Sequence, residues 1–350
     1  MALSAKKNRG EWSELYVLAR VLATGEIRSE NQTTESPAFP VLSVIRYLNG
    51  ANHVFRITDG IVQVIGVNDN KVRNTVSQSK LSAQAELLLN KIASGKGRAF
   101  AISEADVILT ELGLEKVTGS TEKTDLTISL YDPRINQESD QGFSIKSFIG
   151  SKPTLLNASG VTNFDYKILQ NLTNSEAASL NLLGPIELVS TLNQNGYDIQ
   201  PLSMDERFKE NLKMIDSEMD TLLAEIVLAS YAGKGRKMSD ILGILVERNP
   251  LSYPETNCQV RYTHKIKDLL EAVALGMRPS EPWTGQTEAK GGNLIVTSTG
   301  KILCYHALDK DSLRTHLFEN TFIDTPSRRR HKFGSITNNV LALNFQIRFR

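Results

Sequence analysis

Cysteine is nearly absent: Cys258 and Cys304 are the only two in 350 residues. They stand far apart and without metal-ligand spacing, which reads as free thiols in a reducing compartment. No run approaches the roughly 18 uninterrupted apolar residues that a membrane span needs. Met1 to Lys7 carries no apolar signal core, so a cytoplasmic location is the expectation. Net charge is only +1, which counts against DNA binding, since many DNA binders are strongly basic. A nucleotide-binding loop is missing too. The glycines around Lys234, in Ala232-Gly233-Lys234-Gly235-Arg236, lack the G-x-x-x-x-G-K-[ST] pattern. Repeats and low-complexity segments are absent.

What is present is ordinary globular composition, 40% hydrophobic and 23% charged, enough for a packed core. The length suits two lobes, or one core with large insertions. Charge is uneven along the chain. From residue 301 on, nine lysines and arginines face four acids, leaving five positive charges in excess. A near-neutral protein can hold one basic channel while the rest of its surface stays acidic.

Helical spacing of Trp12, Leu15, Leu18, Ala19 and Leu22 predicts an amphipathic helix over Gly10 to Thr24. Residues 29–39 are polar with Pro37 and read as a loop. Val41 to Leu48 reads as a short helix or strand, and Val54 to Val67 as two strands around Asp59-Gly60. Helices are expected over Ser77 to Ala93 and Ser103 to Leu112, with Ser103 as N-cap. Leu126 to Tyr131 alternates like a half-buried strand, Ile135 to Gly142 reads as a polar turn, and Phe143 to Phe148 as a second strand. From Ser175 to Glu247 the pattern is helical, with Met204 to Tyr231 the longest periodic run. Further helices are expected at Met238 to Val246, Arg261 to Leu275 and Asp311 to Asn320. A loop with Trp283 spans 278–292. A hairpin turns at Gly300, and Asn339 to Phe349 reads as a closing strand.

The chemistry concentrates between Thr124 and Ser147. Hydrolysis of a phosphodiester needs a cation held by carboxylates and a positive group near the attacking water. Asp125 opens the first strand. On the second, Ser144 and Lys146 share one face, because side chains alternate with period two. A carboxylate starting one strand and an X-x-Lys on the next is the PD-(D/E)xK nuclease layout, with Ser144 where an acid is usual. The serine could bind metal through water, or the backbone carbonyl of Ile145 could bind directly. Glu11 and Glu14, three apart on one helix face, could supply a missing carboxylate. Equally, two acids near a helix N-terminus simply meet the macrodipole.

Asn8-Arg9-Gly10-Glu11-Trp12-Ser13-Glu14-Leu15-Tyr16 resembles the N-K-G-E-W-S-E-x-Y opening of HpaII-type restriction endonucleases. Thr124-Asp125-Leu126-Thr127 with Gly142-Phe143-Ser144-Ile145-Lys146-Ser147 is similar to that family's catalytic region. Leu155-Leu156-Asn157-Ala158-Ser159 followed by Thr162-Asn163-Phe164 also resembles it. So do Leu303-Cys304-Tyr305-His306, Asp324-Thr325-Pro326-Ser327 with Arg330-His331, and Gln346-Ile347-Arg348-Phe349. Arg9 stands where lysine is expected, a small change for a phosphate contact. The resemblance runs from residue 8 to residue 349. It implies a type II restriction endonuclease that cuts double-stranded DNA at a short palindrome, CCGG being the family's namesake site. It also implies a DNA methyltransferase that protects the host. It raises Asp125 and Lys146 to expected catalytic residues, Ser144 to a site member, and Glu14 before Glu11 to the extra acid, around Mg²⁺.

Arg328-Arg329-Arg330-His331-Lys332 would attract phosphates, and arginine can read guanine bidentately. A solvated loop is the plain alternative. Lys152, Asn157, Ser159 and Asn163 suit contacts to phosphates or base edges. A turn with a helix N-cap would explain them as well. The expected fold is α/β: a PD-(D/E)xK-type central mixed β-sheet flanked by helices, with additional helical and C-terminal DNA-binding parts. The expected organisation is a nuclease core over 1–170, a helical scaffold over 171–275 and a basic β-rich C-terminal region over 276–350. A homodimer suits a palindrome. The competing readings are a structure-specific or repair nuclease of the same fold, and a DNA-binding protein whose site has decayed because Ser144 replaces an acid.

Overall fold

The computed structural model describes residues 5–28, 38–48, 51–115, 117, 124–133, 136–150, 152–233, 235–306 and 310–350. In chain order the elements begin α1 (Arg9–Thr24), β1 (Glu26–Arg28), β2 (Ala38–Leu48), β3 (Ala51–Thr58), β4 (Ile61–Ile65), β5 (Val72–Ser77), α2 (Gln78–Ser94), α3 (Glu104–Glu111), β6 (Leu126–Asp132) and β7 (Gln137–Ser147). They continue β8 (Thr154–Leu156), β9 (Asn163–Ile168), α4 (Asn174–Leu180), α5 (Pro185–Gln194), β10 (Ile199–Met204), α6 (Glu206–Ile215), α7 (Met219–Tyr231), α8 (Met238–Arg248) and α9 (Cys258–Leu275). The chain closes with β11 (Gly292–Val296), β12 (Ile302–His306), α10 (Lys310–Asn320), β13 (Thr321–Ile323), α11 (Arg328–His331), β14 (Ile336–Thr337), β15 (Val340–Asn344) and β16 (Ile347–Phe349). No helix among the described residues is long and apolar enough to cross a membrane.

The chain forms two compact units. The first comprises Met1–Pro153 and Glu288–Leu313. Its sheet has nine strands among the described residues, in the order β12-β11-β7-β6-β2-β3-β4-β5, with β1 beside β2. Only β11 against β7 is parallel; the other pairings are antiparallel, so the sheet is mixed. Helix α1 packs Trp12, Leu15, Leu18, Ala19 and Leu22 into a core with Leu126, Ile128, Phe143, Ile145 and Leu294 from the sheet. The helix starts in a capping box: the Asn8 side chain accepts from the Glu11 amide at 3.0 Å, and the Glu11 carboxylate accepts from the Asn8 amide at 2.8 Å. It stops at Gly25, whose φ of 67° suits a residue without a Cβ.

The second unit comprises Thr154–Thr287 and Arg314–Arg350. It holds a sheet ordered β10-β9-β15-β14, a smaller one ordered β13-β16-β8, and helices α4 to α9. Tyr166 on β9 is buried and its hydroxyl donates to the Ala224 carbonyl on α7 at 2.8 Å, tying helix to sheet.

Several expectations need correction. The turn expected at Ile135 to Gly142 is strand from Gln137 on. Residues 137–140 are exposed, so no apolar alternation marks them, yet their backbones pair with β6. The run Met204 to Tyr231 is broken: Met204 ends β10, and Asp216 takes an extended backbone between α6 and α7. Helix α6 buries one face with Phe208 and Leu212 and α7 is buried nearly all round, so apolar residues recur across the break. The closing strand Asn339 to Phe349 is two strands in two sheets. Phe345 is buried between them with its amide donated to the Thr162 carbonyl. Ser103 adopts helical dihedrals and bonds the Glu104 carboxylate instead of capping α3. Val41 to Leu48 is strand. Trp283 anchors its loop, donating to the Gln286 carbonyl at 2.8 Å. Of the loop expected over 29–39, residues 38 and 39 belong to β2, and 29–37 lie outside the described residues, as does Lys234.

Candidate active site

Strand register in the first unit gathers the catalytic candidates. Leu126 pairs with Phe143, and the Asp125 amide continues the ladder by donating to the Phe143 carbonyl at 2.9 Å. The Asp125 carboxylate then turns onto β7 and accepts from the Ile145 amide at 2.6 Å. Phe143 and Ile145 belong to the core under α1, which puts Ser144 and Lys146 on the opposite side of β7. Ser144 is buried, whereas Lys146 keeps partial access to solvent.

Glu14 approaches from α1. Its Oε2 accepts from Nη2 of Arg46 on β2 at 3.0 Å. Arg46 is 2% exposed, and its Nη2 also donates to the Val117 carbonyl. Burial pushes the Glu14 carboxyl up to about 8; the nearby Asp125 charge adds to the rise, and Arg46 opposes it. Smaller effects come from Glu11, which raises it, and Lys146, which lowers it. Burial drives Arg46 below the usual guanidinium range, against the pull of Glu14 and Asp125. Glu14, Asp125, Arg46 and Lys146 therefore share one charge cluster. Glu11 is engaged elsewhere, in the capping box and in an ion pair with Lys7 at 3.2 Å.

Ser13 locks α1 to β7 beside this cluster. Its hydroxyl bonds the Ser147 hydroxyl at 2.8 Å and the Arg9 carbonyl at 2.7 Å. Arg9 itself turns inward: it donates to the Gly95 carbonyl and its guanidinium lies 5.6 Å from the Phe100 ring centre. The phosphate contact expected of Arg9 is replaced by a structural one. Arg46 went unread in the sequence. An arginine on the same strand face as buried Val44 was the available signal, since a buried cation requires an acid.

The HpaII restriction endonuclease family matches residues 8–349. The type II restriction enzyme HpaII of Haemophilus parainfluenzae is 37% identical over 353 residues, covering 98% of this chain and 98% of that protein. The chain belongs to the HpaII restriction endonuclease family. It is a type II site-specific deoxyribonuclease, and double-stranded DNA is its substrate. No solved structure matches it.

Polar groups expected to meet DNA lie in both units. In the first, Lys152 is exposed. In the second, Asn157 is exposed, Ser159 and Asn163 partly so. No helix follows this turn, since Asn163 opens β9. The Asn163 carboxamide donates to the His331 carbonyl at 3.0 Å and accepts from the Asn344 amide at 2.7 Å. It therefore fastens the 157–163 turn to the basic helix α11. Within α11 the arginines divide. Arg328 is turned inward, its two terminal nitrogens donating to the Leu183 and Asn181 carbonyls at 2.9 Å each. Arg329 and Arg330 are exposed, and His331 is half-buried.

Proposed function

We propose that this restriction endonuclease hydrolyses DNA with Mg²⁺ at a PD-(D/E)xK-type site built from Asp125, Glu14, the Ile145 carbonyl, Ser144 and Lys146. The observation that carries the reading is the convergence of Glu14, held by Arg46, and Asp125, held on β7 next to Lys146, with the Asp125 charge raising the Glu14 carboxyl. A carboxyl whose proton affinity is raised by a neighbouring carboxylate suits a divalent cation, which relieves the repulsion. Among the described residues no group of three or more His, Cys, Asp or Glu side chains converges. The donor set is thus oxygen-rich but short of acids, as fits an ion held by one or two carboxylates, waters and substrate phosphate. Bound there, Mg²⁺ would polarise the phosphoryl oxygens and lower the pKa of a water.

The chain's own residues divide the remaining work. Asp125, fixed by the Ile145 amide, would hold the cation. Glu14 joins it on losing its proton, and Glu11 stays at the helix start as a source of field. Lys146 orients the attacking water and offsets charge building on the phosphate. Arg329 and Arg330 draw the DNA backbone, with Lys152, Asn157 and Ser159 as further contacts. The site read is CCGG, in the cytoplasm, with a DNA methyltransferase protecting the same sequence in the host. A two-fold homodimer matches a palindrome.

Digestion of a sequenced phage genome with Mg²⁺, followed by mapping of fragment ends, tests this reading. Discrete fragments ending within one palindrome are expected. Cleavage that follows DNA structure instead of sequence would replace the site assignment, and intact DNA would remove the catalytic one.

A further inference from the structure

Strand β11 carries a polar residue that the functional reading leaves without a task. Asn293 is 0% exposed in a strand otherwise made of Gly292, Leu294, Ile295 and Val296. Neither its Oδ1 nor its Nδ2 has a hydrogen-bond partner among the described residues. A buried carboxamide with both ends unpaired is costly and is retained where something absent completes it. Its register is telling. In the parallel pairing of β11 with β7, Asn293 lies opposite Ser144, and Ile295 opposite Lys146. Paired residues in a sheet point to one side, so Asn293 shares the side of Ser144 and Lys146. Glycine fixes that register. The Gly291 amide donates to the Gly142 carbonyl at 2.7 Å, and a Cβ on Gly291 would sit 2.9 Å from that oxygen and 2.8 Å from the Phe143 ring. Only a bare backbone lets β11 begin here.

We propose that Asn293 belongs to the nuclease site and supplies through Oδ1 a neutral oxygen ligand to the divalent cation, beside Ser144 where an acid is missing. Amide oxygens are ordinary ligands of hard cations. The pairing explains how a site with a serine at 144 reaches a full donor set. It explains equally why an amide persists in an apolar strand. The inference rests on the metal-dependent reading of Asp125.

The test uses the full-length protein without DNA, with Mn²⁺ as the probe, and measures binding by calorimetry together with thermal unfolding. Asp125→Asn is the control for the site itself. Asn293→Leu keeps the volume and removes the unpaired polar atoms, so it should melt no lower than the parent in EDTA while binding Mn²⁺ about tenfold more weakly. Asn293→Asp should bind Mn²⁺ at least as tightly as the parent. If Asp125→Asn loses Mn²⁺ and Asn293→Leu binds it like the parent, the ligand assignment is overturned. If Asp125→Asn also binds like the parent, the metal site lies elsewhere and both readings fall. A sharply lower melting temperature for Asn293→Leu in EDTA would mark the amide as structural and overturn the proposal too.

Discussion

Nη2 of Arg46 donates to Oε2 of Glu14 at 3.0 Å, joining a buried strand cation to a helix acid beside Asp125. This pairing makes Arg46 the buried counter-charge of Glu14, in the place the proposal gives to a divalent ion. Arg46→Met keeps much of the packing volume and removes that charge. Breaking a buried pair typically costs about 3–5 kcal/mol, and proton uptake by Glu14 should hold the loss near the lower end. Divalent cation should then restore more stability to the variant than it adds to the parent, since it replaces a missing charge. Urea unfolding with and without Mg²⁺ measures both. Equal stabilisation of the two proteins would show that Arg46 and the ion do not compete for the same acids.

Glu14 gives the metal-free protein a pH dependence of definite sign. Its carboxyl is raised from 4.5 to about 8 in the fold, so the native state binds the proton more tightly than the unfolded chain. Stability from this group is present below about pH 4.5 and is lost as pH rises toward 8. In EDTA, the melting temperature of Glu14→Gln should fall less than the parent's across that window. Superimposable profiles would remove Glu14 as the titrating group. Cation binding near pH 7 should also release a proton from Glu14, visible as buffer-dependent heats in calorimetry.

Much of the fold could be read from periodicity where one side of an element is buried and the other wet. Strand β6 follows that rule most plainly, whereas α1 and β11, buried on both sides, were marked by dense apolar runs. The rule failed where burial was absent. The exposed half of β7, the polar β10 and the short β1 carry no apolar alternation, and their backbones alone define them. That Asp125, Ser144 and Lys146 lie together was legible, because their spacing is local to one hairpin. The approach of Arg46 to Glu14 and the pairing of Asn293 with Ser144 were not, because each joins segments distant in sequence. The Arg328 to Lys332 cluster looked uniform in sequence, and only its carbonyl partners separate the structural arginine from the exposed ones.

Lys146 should be separable from binding. In the proposed role the Lys146 ammonium positions water and offsets charge, and its removal leaves Glu14, Asp125 and the exposed arginines in place. Lys146→Ala should lower the cleavage rate by about 10²–10⁴ and leave affinity for the target duplex in Ca²⁺ nearly unchanged. Single-turnover kinetics beside gel-shift titration checks both quantities. A parallel loss of affinity would recast Lys146 as a DNA-holding residue.

The arginines of α11 should fall into two classes by different measurements. Arg328 bridges the Asn181 and Leu183 carbonyls, so Arg328→Ala leaves two acceptors without their donor and should lower stability by about 1–3 kcal/mol. Arg329→Ala and Arg330→Ala remove exposed side chains and should leave unfolding within about 0.5 kcal/mol of the parent. Their effect belongs in DNA binding. Where an arginine neutralises a phosphate, its removal should reduce the slope of log affinity against log salt by about 0.9, for specific and nonspecific duplexes alike. If either arginine reads guanine instead, its removal should weaken the specific duplex by about 1–3 kcal/mol and spare the nonspecific one. An unchanged slope and unchanged specificity in the double variant would leave α11 as a solvated turn, held to the 157–163 segment by Asn163 for structural reasons alone.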